Sequence, residues 1–289
     1  MKAMQYEAPG TVEEAISLLA KANGEAKILA GGTDLLVQLR SRLIQPGLIV
    51  DIKKIAELRT ISAEADGGFR IGAAVSGAEI GEHAALAAAW PGVVEATELI
   101  GSTQVQGRAT PVGNLCNASP AADSVPAMVV AGAVCTVVGP NGSRQVPVEQ
   151  IPTGPGQTSL AAGELVVDIV LPAKPANSGD AYLRMIPRTE MDIAIVGAGV
   201  CLTLDGDGTC TAARVALGAV APTVLLVQEA ADALIGGKLD DAAMGKLDAV
   251  ARAACKPIDD KRGTIEYRTK VAGVMARRAA KIALERAGS

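Results

Sequence analysis

Aromatic residues are scarce in this sequence: of 289 residues only 2% are aromatic, comprising one Trp, one Phe and three Tyr. A surface that stacks nucleobases needs several rings, so a platform for single-stranded nucleic acid is excluded. Histidine is rarer still. The single His83 cannot build a multi-histidine metal centre. It is read as a helix-surface residue rather than a catalytic base, because no serine and acid are flagged to complete a hydrolytic triad. The five cysteines, Cys116, Cys135, Cys201, Cys210 and Cys255, are widely separated. Zinc and iron–sulfur sites usually take a closely spaced pair from one loop, so these thiols are read as free and buried, and no metal site is expected. The net charge is only −4, too small an imbalance to seek nucleic acid or an anionic membrane. No apolar run approaches the roughly 20 residues of a bilayer span. The opening Met1-Lys2-Ala3-Met4-Gln5-Tyr6-Glu7 lacks the apolar centre of a secretory leader, and a cytoplasmic location is the expectation.

What remains is an ordinary folded chain. Hydrophobic residues make up 49% and charged residues 20%, which rules out disorder, and the length suffices for two domains. Thr11-Val12-Glu13-Glu14 reads as a capping box opening a helix with Val12, Ala15, Ile16 and Leu19 on one face. A short apolar strand over 26–30 runs into Gly31-Gly32, and Leu35, Leu36, Leu39 and Leu43 then follow with helical spacing. A strand is expected over 48–52, and a hairpin over 61–65 and 69–73 about Asp66-Gly67-Gly68. Ser76-Gly77-Ala78-Glu79 forms a second capping box. From Trp90 to Ala131 helices flank a polar, glycine-containing insert. A further hairpin, 134–138 with 144–148, turns through Pro140-Asn141-Gly142-Ser143.

The stretch 172–179 is small and polar and reads as a domain boundary. Strands over 181–188, 193–204 and 209–219 follow, then Ala-rich helices such as 272–287, the pattern of an α+β domain. Two motifs in this half are misleading. Val196-Gly197-Ala198-Gly199 starts like a dinucleotide fingerprint, but Leu202 occupies the third glycine position and a strand is expected after it. Asp205-Gly206-Asp207-Gly208 imitates a calcium loop, yet Ala216 stands where the closing Glu would fall, so a β-turn is expected.

Three segments carry chemistry. In Ile28-Leu29-Ala30-Gly31-Gly32-Thr33-Asp34-Leu35-Leu36 a strand ends on two glycines and turns into a helix. Glycine lets a ligand approach the backbone closely, and free amides at a helix start suit a phosphate. Residues 108–123 form a long run of small hydrogen-bonding side chains that suits a dinucleotide and would also suit a merely ordered loop. Residues 182–194 place cations and carboxylates on a strand-like stretch at the start of the second domain.

Together, in this order, these segments resemble the medium flavoprotein subunit of the xanthine dehydrogenase and carbon monoxide dehydrogenase family, the molybdenum hydroxylases. The resemblance runs from Tyr6, Pro9 and Glu14-Ala15 to Glu266-Tyr267-Arg268. It implies an α+β fold: a vanillyl-alcohol-oxidase-type (PCMH-type) FAD-binding domain at 1–175, in lobes of about 1–55 and 56–175. A CO dehydrogenase flavoprotein-type α+β domain at 176–289 completes it. By the same resemblance Leu29, Ala30, Gly31, Gly32, Thr33, Asp34 and Leu35 wrap the FAD pyrophosphate. Thr110, Gly113 and Asn114 meet the phosphates and ribityl chain, and Asp123 holds the adenosine ribose. Ile100 makes an apolar contact, and Leu165, Val166 and Arg184 come near the isoalloxazine. Val112 departs from the family by replacing a usual glycine, and Arg184 stands where Lys is common.

The resemblance further implies an oxidoreductase subunit that relays electrons through FAD to an external acceptor. The partners would be a small [2Fe–2S] subunit and a large molybdopterin subunit, in a dimer of heterotrimers. No catalytic side chain or metal ligand is expected on this chain. The Cys-rich insertion of hydroxybenzoyl-CoA reductases is absent. A free-standing FAD-dependent reductase on the same fold, or an interaction subunit that has lost FAD, are the alternatives.

Overall fold

Side-chain caps set where the helices begin. In the computed structural model, which describes residues 4–288, the Thr11 hydroxyl accepts from the Glu14 amide at 3.2 Å. It thereby starts the helix Val12–Ala22, which buries Val12, Ala15 and Leu19. The Glu14 carboxylate accepts from the Gly10 amide and not from Thr11, so this box is only half formed. The second box is complete, with Ser76 and Glu79 each holding the other's backbone ahead of the helix Gly77–Gly81. Residues 1–3 of the polar N-terminal stretch and Ser289 lie outside the described residues.

The first lobe is a parallel three-stranded sheet in the order Gln5–Glu7, Leu48–Asp51, Ala26–Leu29. Its middle strand is buried at every position. The helix expected after Gly31-Gly32 is only Leu35–Arg40. It stops because Arg42 turns left-handed, with φ 60°, and Leu36 and Leu43 stay 58% and 76% exposed rather than facing a core.

The second lobe is a five-stranded antiparallel sheet: Ile61–Ala63, Phe69–Gly72, Leu165–Leu171, Val134–Gly139, Gly142–Pro147. Its central strand is Leu165–Leu171, which has no clear signal in the sequence. A nearly continuous apolar run carries no alternation by which to distinguish a strand. Its register slips between Val166 and Asp168, a bulge that re-aims the strand's first residues. The polar insert also departs from an open loop, because Pro111–Cys116 is helical. Thr110 caps that helix, and Pro111 at its first position needs no amide partner.

The remaining sheet runs Ser178–Met185, Val196–Leu204, Cys210–Gly218, Leu225–Leu226. It packs on the helix Ile265–Ala287, which in turn packs against the helix Asp241–Ala254. The strand expected over 181–188 starts earlier and ends at Met185, before Pro187, which cannot donate to a ladder. The misleading glycines lie inside the strand Val196–Leu204. Asp205 closes a turn by accepting the Asp207 and Thr209 amides at 3.0 and 2.9 Å. His83 is partly buried and not a free surface group. Its ring accepts the Leu86 amide at 3.1 Å and stands edge-on to Phe69. Among the described residues no helix is long and apolar enough to cross a membrane.

Two buried clusters result. One spans both lobes and the other joins the last sheet to its helices. They are fastened together at the stretch read as a boundary. Asp180, 1% exposed, accepts from Lys174 at 2.7 Å and from the Gly92 amide at 2.8 Å. Arg286, near the end of the last helix, donates to the Asp180 carbonyl at 2.8 Å and pairs with Glu95. Burial raises the Asp180 carboxyl, and Lys174 and the Gly92 amide act against it. Asp180→Ala strands a buried ammonium and a buried amide, and is expected to cost about 3 kcal/mol. Glu95→Ala, on a half-exposed pair, should cost about 1 kcal/mol. Urea denaturation of the two variants checks the contrast, and equal midpoints would remove the clamp from the account.

Candidate cofactor site

A cavity of about 520 Å³ opens between the first two lobes, within the size range of cofactor pockets. Backbone makes its narrowest wall. A Cβ on Gly31 would lie 1.9 Å from the Arg108 carbonyl oxygen and 3.0 Å from the Ala109 Cα. Only glycine lets the two segments touch there. Gly32 has φ +79°, a conformation that side chains resist, and it turns the chain into the cavity. Among the described residues the amides of Gly31, Gly32, Thr33 and Asp34 meet no backbone acceptor. The amides of this turn, more than a six-residue helix, are the anion donors here.

The facing wall is built by mutual restraint. The Thr110 hydroxyl accepts from the Gly113 amide at 2.9 Å. Asn114 Oδ1 accepts from the Ser124 amide at 3.2 Å and the Ser124 hydroxyl at 2.8 Å. With that oxygen occupied, the Asn114 amide nitrogen is the end left as a donor, and the residue lines the cavity. Gln38 donates to Asn117 at 3.2 Å and links the two walls. Val112, placed where glycine is usual in the family, is 5% exposed and packs into the large core. Its bulk is absorbed there, although the residue also borders the cavity. Cys116 borders it too, but burial pushes its thiol up to about 12 and keeps it an inert neutral wall.

Of the residues expected at the site, Ala30, Gly31, Gly32, Thr33, Asp34, Leu35, Ile100, Thr110, Gly113, Asn114, Leu165 and Val166 line this one cavity. Leu29 does not line it. Its side chain lies under the turn, 2.8 Å from where a Gly32 Cβ would be. Asp123 and Arg184 are not brought to the cavity wall either. They pair with each other at 2.9 Å, and the Tyr182 hydroxyl is 3.4 Å from the same carboxylate. Burial pushes Asp123 up to about 6, against the pull of Arg184 and Tyr182. The pair adjoins the wall, since Asp123 precedes Ser124, which holds Asn114.

Several lining residues went unread, among them Lys27, Gln38, Asn117 and the run 160–164. The run 160–164 is small and weakly patterned, and only the chain's return through the central strand brings it here. Among the described residues no three His, Cys, Asp or Glu side chains converge on a metal-sized site.

A two-lobed α+β fold with an amide-lined crevice between its lobes defines a dinucleotide-binding flavoprotein architecture, and the donor set fits a pyrophosphate. Comparison with known proteins agrees. Residues 2–174 match the FAD binding domain in molybdopterin dehydrogenase, and residues 181–283 match the CO dehydrogenase flavoprotein C-terminal domain. The carbon monoxide dehydrogenase medium chain of Afipia carboxidovorans is 37% identical, over 98% of this chain and 97% of its own. The putative xanthine dehydrogenase FAD-binding subunit of Escherichia coli K12 is 32% identical, over 98% and 97%. The crystallised carbon monoxide dehydrogenase of Hydrogenophaga pseudoflava superposes with a TM-score of 0.94 at 35% identity, covering 98% of each chain. The chain belongs to the FAD-binding medium-subunit family of the molybdenum hydroxylases, and FAD is its cofactor.

Gly31→Ala must push apart the two backbones that close the cavity. FAD affinity is expected to fall about ten- to a hundredfold, the equivalent of a strained methyl. Fluorescence titration of the apo-protein reads this directly, and unchanged affinity would show that the Gly31–Arg108 contact is not part of the site.

Proposed function

We propose that this chain is the electron-transfer subunit of a heteromeric molybdenum hydroxylase. It would pass electrons from [2Fe–2S] clusters on a small partner subunit, through FAD, to an external acceptor. A large molybdopterin subunit would hydroxylate the substrate, and the assembly would be a cytoplasmic dimer of heterotrimers. The reading carries a division of the chain into an FAD-binding domain at 1–175 and a C-terminal domain at 176–289. The observation that carries it is the crevice itself, in which unpartnered amides on one wall face an anchored Asn114 on the other. Support for the partners comes from the relatives, which are named as medium chains and FAD-binding subunits of larger dehydrogenases.

A bound flavin supplies one- and two-electron chemistry, and the protein contributes binding, position and local charge. The roles of the chain's own residues follow from their places. Gly31, Gly32 and Thr33 offer amides to the pyrophosphate, and Asn114 offers its side-chain nitrogen from the opposite lobe. Ile100, Leu165 and Val166, all buried, exclude water from the apolar end. Asp123 and Arg184 act at one remove: their ion pair fixes Ser124, and through it Asn114.

Purified protein is expected to show flavin absorption near one equivalent, to release FAD rather than FMN on denaturation, and to carry no iron. Co-expressed with its partner subunits, its flavin should be reduced by the complex's organic substrate. A colourless chain that also refuses added FAD would overturn the cofactor reading. A flavin-loaded chain that reduces its own substrate without partners would overturn the relay and leave a free-standing reductase.

A further inference from the structure

Behind the glycine turn lies a network that the cofactor contacts described above do not use. Lys53 Nζ donates to the Ala30 carbonyl at 3.1 Å and to Asp51 Oδ1 at 2.7 Å. Asp51, 7% exposed, also accepts the Lys53 amide at 3.0 Å and, on its other oxygen, the Tyr6 hydroxyl at 2.6 Å. Burial alone would raise the Asp51 carboxyl, but Lys53 and Tyr6 outweigh it and hold it below the ordinary range. The ammonium is therefore held by an ionised partner and keeps a donor for the carbonyl.

The geometry around that carbonyl is what matters. Lys53 lines a separate recess of about 270 Å³, and Gly31 is the residue that borders both this recess and the large cavity. The Ala30 oxygen and the Gly31 N–H belong to one peptide group. No peptide in the described chain is cis, so the two bonds point in opposite directions. Lys53 holds the carbonyl on one side of this peptide, so the Gly31 N–H is fixed on the other; it meets no backbone acceptor, and Gly31 lines the cavity. A cation on the oxygen also draws charge along the peptide and makes the N–H a stronger donor.

We infer that Lys53 is a positioning residue that orients and polarises the Gly31 amide toward the pyrophosphate of the cofactor. The inference rests on the FAD reading of the cavity and adds a residue on the far side of its wall. It differs from a purely structural role, in which the Tyr6–Asp51–Lys53–Ala30 network merely ties the three strand ends of the first lobe. Orientation of one amide affects only ligands that carry phosphate there, whereas loosening of the sheet affects every ligand and the melting temperature.

The test compares the full apo-chain and its Lys53→Met and Lys53→Arg variants, titrated with FAD and with riboflavin, which lacks the pyrophosphate. Lys53→Met is expected to weaken FAD about tenfold, the scale of one charge-assisted hydrogen bond. Riboflavin affinity should stay unchanged, and Lys53→Arg should restore most of the loss. In proton–nitrogen spectra the Gly31 amide resonance should move upfield in Lys53→Met. An equal loss for both ligands with a lowered melting temperature would overturn the inference in favour of the structural role, as would wild-type affinity with an unmoved resonance. Should Lys53→Met fail to fold, the wild-type chain still decides. Its Gly31 amide must shift on adding FAD and not on adding riboflavin, and no selective shift refutes the positioning. A wild-type chain that binds no FAD would sink the cofactor reading itself, a result distinct from every variant outcome.

Discussion

The contact on which the rest of the site depends is backbone against backbone, where Gly31 lies on the carbonyl of Arg108. The two lobes share a hydrophobic cluster of side chains. At the cavity they also meet at a point where no side chain fits, and that fixes the spacing between the turn at Gly32 and the helix that Thr110 caps. A ligand that must bridge both walls then pays little ordering cost on binding, because the walls are set before it arrives. The amides of Gly31, Gly32, Thr33 and Asp34 meet no backbone acceptor, and all four residues line the cavity.

The second tier of the site consists of polar groups that never reach the cavity. Asn114 is aimed by Ser124, Ser124 follows Asp123, and Asp123 is paired with Arg184 on the first strand of the last sheet. One wall of the crevice is thus mounted on the C-terminal domain although it belongs to the second lobe. Lys174, Asp180 and Arg286 reinforce the same joint a short way off. The last sheet is fastened to the lobes by directional bonds as well as by apolar packing, which holds the cofactor wall in place.

Local signals were legible in the sequence and long-range ones were not. Thr11 and Ser76 announced their helices through side-chain caps, and the glycine pair announced the turn, because each is decided within a few residues. Most of the expected lining came together for the same reason, since Ala30 to Leu35 and Thr110 to Asn114 are contiguous pieces with their own chemistry. Leu165–Leu171 was invisible as a strand because its place at the sheet centre depends on partners near residues 70 and 136. The pairing of Asp123 with Arg184 was not legible, because the sequence cannot show that two opposite charges 61 positions apart meet. Lys53 gave no signal at all. Only the parallel pairing of Ala26–Leu29 with Leu48–Asp51 brings it to the Ala30 carbonyl.

The order of strands in the second lobe has a consequence for how the chain is made. Phe69–Gly72 and Val134–Gly139 both pair with Leu165–Leu171, the last of the five strands to leave the ribosome. Until it emerges, each earlier hairpin presents an open edge, and at a synthesis rate of about 5–20 residues per second that exposure lasts for seconds. Open edges invite pairing with other chains. The lobe that forms half of the cofactor crevice is therefore a part of the nascent protein whose edges stay open until its central strand is made.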